Sequence, residues 1–154
     1  MKAVSLLVTA VFMTVLPAAA QDKSTVSQPS TAQEPYRPGL GEIMTLQQLR
    51  HIKLWFAGHA GNWPLADYEI GELNERFEDV NGLLGGDIVK QHVGAALTAL
   101  QKAVDDKDSA AFTKAFDALS SGCNGCHHAL DHAFIVIQRP TLLPYSNQVF
   151  SPPK

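Results

Sequence analysis

Apolar residues recur at spacings of three and four along most of the second half of the sequence, and this periodicity restricts the chain to helices. An α-helix turns once in about 3.6 residues, so side chains at these spacings share one face. Each segment therefore presents an apolar stripe that must be buried against another element. The stripes are Ala66, Ile70, Leu73, Phe77, Val80 and Leu84; Val89, Val93, Ala96, Leu100 and Val104; and Phe112, Phe116, Leu119, Cys123, Cys126, Leu130, Ala133 and Ile137.

Residues that begin or end helices separate these stripes. Asn62, Asp87 and Asp108 are suitable N-caps, and Gly58, Gly61, Gly85, Gly86 and Pro140 are suitable stops. The pattern predicts helices over about 42–60, 62–84, 87–104 and 108–138. No alternating pattern indicates a strand. Short connections make neighbouring helices antiparallel, so the predicted fold is all-α, an up-down-up-down four-helix bundle.

The two ends of the sequence differ from this helical domain, which we place at 42–139. Residues 1–20 resemble an export signal, with a basic start at Lys2, a short apolar run and the small residues Ala18–Ala20. We expect cleavage near Ala20 and a periplasmic location; the alternative is an uncleaved N-terminal anchor. Segment 21–41 reads as a flexible linker, and 140–154 as an irregular C-terminal tail.

Charge and hydropathy exclude some classes of partner. The formal net charge is −3, and no run of Lys and Arg occurs. Nucleic acids and anionic membranes attract basic patches, so neither is expected as a partner. No second apolar stretch reaches membrane length, and we expect no stable membrane span after processing.

One short motif carries chemistry. The stretch Cys123-Asn124-Gly125-Cys126-His127 has the C-x-x-C-H pattern by which c-type haem is attached. The two thiols form thioethers with the haem vinyl groups, and the adjacent His is placed to bind the iron. Both cysteines belong to the predicted buried stripe of the last helix. The sequence therefore predicts one covalent haem c in the bundle interior.

Two other interpretations of the cysteines are weaker. A thioredoxin-type redox pair would lie beside a strand–helix unit, and none is predicted. A zinc site could use His128 and His132, but structural zinc sites usually separate their Cys pair from their His pair in sequence. A local disulfide in a protein without haem is the remaining alternative.

Together these features resemble the class II c-type cytochromes, the cytochrome c′ group, over about residues 42–137. The resemblance implies that Cys123 and Cys126 hold the haem and that His127 is the proximal ligand. An Arg followed four residues later by Leu or Met on the first helix is also typical of the group, and Arg50 and Leu54 match it. The resemblance further implies binding of nitric oxide and carbon monoxide, and a homodimer. The longer tail departs from the group's pattern, and so does the presence of His51.

The second axial position of the iron decides between functions. In an antiparallel bundle, His127 lies about eleven residues before the predicted end of its helix, which matches residues 51–54 on the first helix. His51 is the leading candidate ligand. An open position beneath Leu54 and ligation by Met44 are the alternatives; His59 lies farther from this level.

The remaining polar side chains indicate little further chemistry. Arg50 either contacts a haem propionate or lies on a solvated helix face. His92 and His132 are expected at the surface, and His128 points away from the iron. Carboxylates cluster on the second helix, and we expect them to form a solvated face: Glu69, Glu72, Glu75, Glu78 and Asp79.

These residues offer no catalytic set, and we expect no enzyme. The sequence predicts a periplasmic electron carrier with an unidentified redox partner. The alternative is a gas-binding protein with open iron coordination.

Overall fold

The computed structural model describes residues 36–153, and this part of the chain contains helices without strands. The four helices are α1 (Leu40–His59), α2 (Trp63–Leu84), α3 (Ile88–Asp105) and α4 (Ser109–Ala129). The predicted all-helical, four-helix fold is confirmed. The predicted export signal, and residues 21–35 of the predicted linker, lie outside the described residues.

Two of the predicted caps hold the starts of their helices. The Asn62 side chain accepts a hydrogen bond from the backbone N–H of Leu65 at 3.3 Å. Asp108 Oδ1 accepts from the N–H groups of Ala110 and Ala111, both at 2.9 Å. These acceptors satisfy N–H groups that the first turn of a helix leaves without partners. Asp87 occupies the N-cap position of α3, but its side chain makes no capping bond.

Helix α4 ends at Ala129, so the predicted extension to about Gln138 is wrong. The chain turns away through Asp131, which has a φ of 60°. The backbone N–H of His132 then donates to the His127 carbonyl oxygen at 2.7 Å, which closes this turn. Residues beyond the turn pack on α4 instead of continuing it. The apolar spacing therefore does not mark further helix: Ala133 is exposed, and only Leu130 and Ile137 are half-buried.

Helices α1 and α4 approach closely at Gly58. A Cβ atom built there would lie 2.1 Å from Cζ of Phe112, far inside van der Waals contact. The Phe112 ring, which is fully buried, occupies the space that a side chain would need. Glycine at this position therefore sets the distance between the two helices.

The tail that follows α4 returns along α1 and α4. Arg139 pairs with Asp117 on α4 at 2.5 Å and lies over the ring of Trp55 on α1, 4.7 Å from its centroid. Farther along, the Phe150 ring packs 6.1 Å from that of Phe56. Arg139 therefore bridges α4 and α1, and the later part of the tail packs near the end of α1.

None of the helices in residues 36–153 is both long enough and apolar enough to cross a membrane.

Candidate functional site

A cavity of about 390 Å³ opens at one end of the bundle. Its walls come from the first part of α1, the last part of α2, the first part of α3 and the last part of α4. This alternation of starts and ends is what an antiparallel order of helices produces. The walls are largely apolar and include Leu73, Phe77, Val80, Val89, Val93 and Leu119.

Most of the predicted site residues meet in this cavity. Cys123, Cys126 and His127 line it from α4, and Met44 and His51 line it from α1. The antiparallel register derived from the sequence therefore placed these residues of α1 and α4 at the same level of the bundle.

Other predicted site residues lie elsewhere. Leu54 is fully buried in the core and is not part of the cavity wall. His59 is also absent from the wall, and His128 is exposed, on the far side of its helix as expected. His132 is exposed but stands at the rim of the cavity, and His92 is half-buried at the edge of α3. Of the two residues that the sequence predicted at this level, His51 lines the cavity and Leu54 does not.

The two thiols are neutral groups in an apolar setting. Burial and the neighbouring Cys126 raise the pKa of Cys123 to about 12, and burial also raises the pKa of Cys126. Reactive or metal-binding thiols instead have lowered pKa values, since the thiolate is the active form. Within residues 36–153, no group of three or more His, Cys, Asp or Glu side chains is placed to hold a metal ion. Neither the redox-pair nor the zinc interpretation gains support.

The imidazole of His127 is held by the returning tail. Its Nδ1 atom lies 2.8 Å from the backbone carbonyl oxygen of Ile135. A carbonyl oxygen can only accept, so Nδ1 carries a proton, and in the neutral ring Nε2 keeps its lone pair. This is the tautomer that a histidine needs to bind a metal through Nε2, with the opposite nitrogen oriented by a second group.

The imidazole of His51 forms a hydrogen bond to a side chain of α4. Its Nε2 atom lies 2.8 Å from Oγ of Ser120, and that hydroxyl is also 3.1 Å from the carbonyl oxygen of Phe116. The single hydroxyl hydrogen goes to the carbonyl, so His51 Nε2–H donates to Ser120. Burial lowers the pKa of His51 to about 4, and the ring is therefore neutral at pH 7. Ser120 carries no signal in the sequence that would have indicated this contact.

The Arg50 side chain forms ion pairs with residues of α2. Its guanidinium pairs with Glu69 at 3.2 Å and with Glu72 at 2.6 Å. Glu69 is 1% exposed, so its assignment to a solvated face is wrong; Glu75, Glu78 and Asp79 are exposed as expected. Burial raises the pKa of Glu69 and outweighs the opposing effect of Arg50. Arg50 thus stabilises the α1–α2 contact and does not line the cavity.

Helix α4 packs tightly on α3 beside the attachment motif. A Cβ atom at Gly122 would lie 2.4 Å from the backbone carbonyl oxygen of His92. A larger residue there would push the two helices apart. The glycine therefore lets the turn that carries Cys123 and Cys126 lie directly against α3, where the cavity wall continues through Val89 and Val93.

No protein-family model matches this chain, and no curated protein or solved structure is similar to it in the comparisons made. The resemblance to class II c-type cytochromes therefore rests on the residues and motifs described above.

Proposed function

We propose that this protein is an exported monohaem c-type cytochrome that acts in one-electron transfer in the periplasm. One observation carries the proposal: Cys123, Cys126 and His127 line the same apolar cavity, and the His127 imidazole donates Nδ1–H to the Ile135 carbonyl, which leaves Nε2 as the nitrogen available to a metal. The C-x-x-C-H spacing alone indicates attachment. The cavity adds an apolar space on the side of α4 that carries these three residues.

The residues of the cavity fit a porphyrin in size and chemistry. Cofactor sites commonly have volumes of roughly 300–1,000 Å³ and mainly apolar walls, and this cavity has both properties. Cys123 and Cys126 would hold the haem by thioethers, formed as each S–H adds across a vinyl group. His127 would bind the iron, and the bound group would supply the one-electron chemistry. The apolar walls exclude water and favour a stable reduced state.

Two side chains of α1 could fill the second axial position. Met44 is half-buried on the cavity wall. His51 is neutral and lies on the same wall, but it must leave Ser120 before Nε2 can bind a metal. Either ligand would give the filled coordination that suits electron transfer.

The alternative function is binding of small gases at an open axial position. The hydrogen bond between His51 and Ser120 favours it, because that bond holds Nε2 away from any metal in the cavity. Leu54, which the family resemblance places over an open position, lies in the core instead.

The proposed partner is a periplasmic redox protein, and the family resemblance implies a homodimer. In either function the protein is a carrier or a binding protein and not an enzyme. The proposal includes no nucleic acid and no stable membrane span in the mature chain.

The test is to produce the full chain in a bacterium that matures c-type cytochromes. The periplasmic fraction should contain a haem that stays attached after denaturation, and Cys123→Ser with Cys126→Ser should abolish it. A colourless protein from the unaltered chain would refute the proposal.

The visible spectrum of the reduced protein then separates the two functions. Sharp low-spin bands that carbon monoxide does not change would support electron transfer. A high-spin spectrum that shifts with the gas would support gas binding.

A further inference from the structure

Asn124, the first variable residue of the attachment motif, makes two hydrogen bonds to the returning tail. Its Nδ2 donates to the carbonyl oxygen of Ile137 at 2.8 Å, and the Ile137 backbone N–H donates to Asn124 Oδ1 at 2.7 Å. Together the two bonds use both the N–H and the C=O group of the Ile137 backbone. They fix the orientation of the tail at Ile137 as well as its position.

The same stretch of tail provides the partner of His127. Ile135, whose carbonyl oxygen accepts from His127 Nδ1, is only two residues before Ile137. On its other side, the backbone N–H of Ile135 donates to the His132 carbonyl oxygen at 2.9 Å. The chain spans at most about 3.5 Å per residue, so a carbonyl held on both sides has little room to move.

The position of this carbonyl has consequences for a metal bound at Nε2. A histidine ligand whose opposite N–H donates to a fixed acceptor is held in one orientation and becomes more basic. A more basic ligand favours the oxidised metal, so the hydrogen bond lowers the reduction potential. Loss of the fixed acceptor should have the opposite effect.

We infer that Asn124 is a positioning residue for His127, acting through Ile137 on the Ile135 carbonyl and thereby on the potential of the haem. The inference rests on the proposed function. Asn124 has no hydrogen bond to His127; both of its bonds go to Ile137, which lines the cavity together with Ile135. Its effect therefore passes through the tail.

The test compares the haem-containing full chain with Asn124→Ala and with Asn62→Ala. Asn62 matches Asn124 because its Nδ2 also donates to a tail carbonyl, that of Ser151 at 3.2 Å, but at a point remote in sequence from Ile135. Two properties are measured: the reduction potential of the haem and hydrogen exchange of the Ile137 amide.

Asn124→Ala should raise the potential and accelerate Ile137 exchange. Asn62→Ala should change neither, although it also removes the α2 cap and lowers stability. The inference is overturned if Asn124→Ala accelerates exchange but leaves the potential unchanged, or if Asn62→Ala shifts the potential equally.

A measurement on the unaltered protein covers the case in which Asn124→Ala does not fold. The His127 Nδ1 proton should exchange slowly with solvent, as expected of a proton donated to a fixed carbonyl. Rapid exchange overturns the inference. A chain that matures without covalent haem overturns the proposed function first, and is recognised by the missing haem before any of these measurements.

Discussion

Nε2 of His51 and Oγ of Ser120 lie 2.8 Å apart and join α1 to α4 at the wall of the cavity. Ser120 stands three residues before Cys123, so the bond lies about one helical turn from the attachment motif. It gives His51 a defined partner other than a metal. In the proposed cytochrome, ligation of iron by His51 would therefore compete with this hydrogen bond.

The first prediction concerns Ser120→Ala in the haem-containing protein. The substitution removes the partner of His51 Nε2 and makes ligation of iron by His51 more favourable. A neutral hydrogen bond contributes about 1 kcal/mol, so carbon monoxide affinity should fall by roughly fivefold as the low-spin fraction rises. Visible spectra during gas titration measure both. Ser121→Ala, at the exposed neighbouring serine, is the control. Equal behaviour of the two variants would show that the bond does not restrain His51.

The second prediction concerns the contact between α1 and α4. Gly58→Ala should lower the free energy of unfolding by about 1–3 kcal/mol, because its methyl group would overlap the Phe112 ring. Gly71→Ala, in the exposed middle of α2, meets no atom within 4 Å. It should raise stability by up to about 1 kcal/mol through helix propensity. Urea unfolding of both variants checks the opposite signs, and a stable Gly58→Ala would contradict the close approach.

The third prediction concerns the tail. Phe150 is 7% exposed against Phe56, whereas Phe134 is 79% exposed. Phe150→Ala should therefore lower the free energy of unfolding by about 2–4 kcal/mol, near the values for buried aromatic residues. Phe134→Ala should change it by less than about 0.5 kcal/mol. Thermal unfolding of the two variants measures this difference. Similar midpoints would mean that the tail does not pack as described.

The fourth prediction concerns the pH dependence set by Glu69. Its pKa is raised above the ordinary value of 4.5 in the folded protein, chiefly by burial. The folded state therefore binds this proton more tightly than the unfolded state. The resulting stabilisation is present below pH 4.5 and is lost as pH rises through the folded pKa. Glu69→Gln, which cannot ionise, should gain stability relative to the unaltered protein between pH 4 and pH 7.

Urea unfolding at several pH values measures this gain. Arg50→Met offers a second test, because it removes the guanidinium that partly offsets the burial of Glu69. In that variant the loss of stability with rising pH should be steeper. If the difference between Glu69→Gln and the unaltered protein stays constant over this range, the ionisation of Glu69 does not contribute as described.

Local pattern was sufficient for much of the fold. The three apolar stripes located α2, α3 and the start of α4, and Asn62 and Asp108 cap their helices as predicted. Antiparallel register placed His51 opposite the attachment motif. These features depend on residues close in sequence or on regular helix geometry, and both can be read from spacing alone.

Spacing alone could not predict that Glu69 is buried or that residues 130–137 leave the helix. Glu69 shares the spacing of exposed carboxylates on α2, and only the approach of Arg50 from α1 gives it a buried partner. Residues 130–137 continue the helical spacing, but hydrogen bonds from Asn124 and His127 hold them as a returning segment. In both cases a long-range contact overrides the local pattern.

By itself, the sequence determined the helical stripes and the C-x-x-C-H motif on one face of the last helix. Only the tertiary structure decided which partners the two imidazoles have: the Ile135 carbonyl for His127 and the Ser120 hydroxyl for His51. The physical reason is that periodicity reports which face of a helix is buried. A hydrogen bond depends on the distance and direction between two atoms, which the packing of separate segments sets.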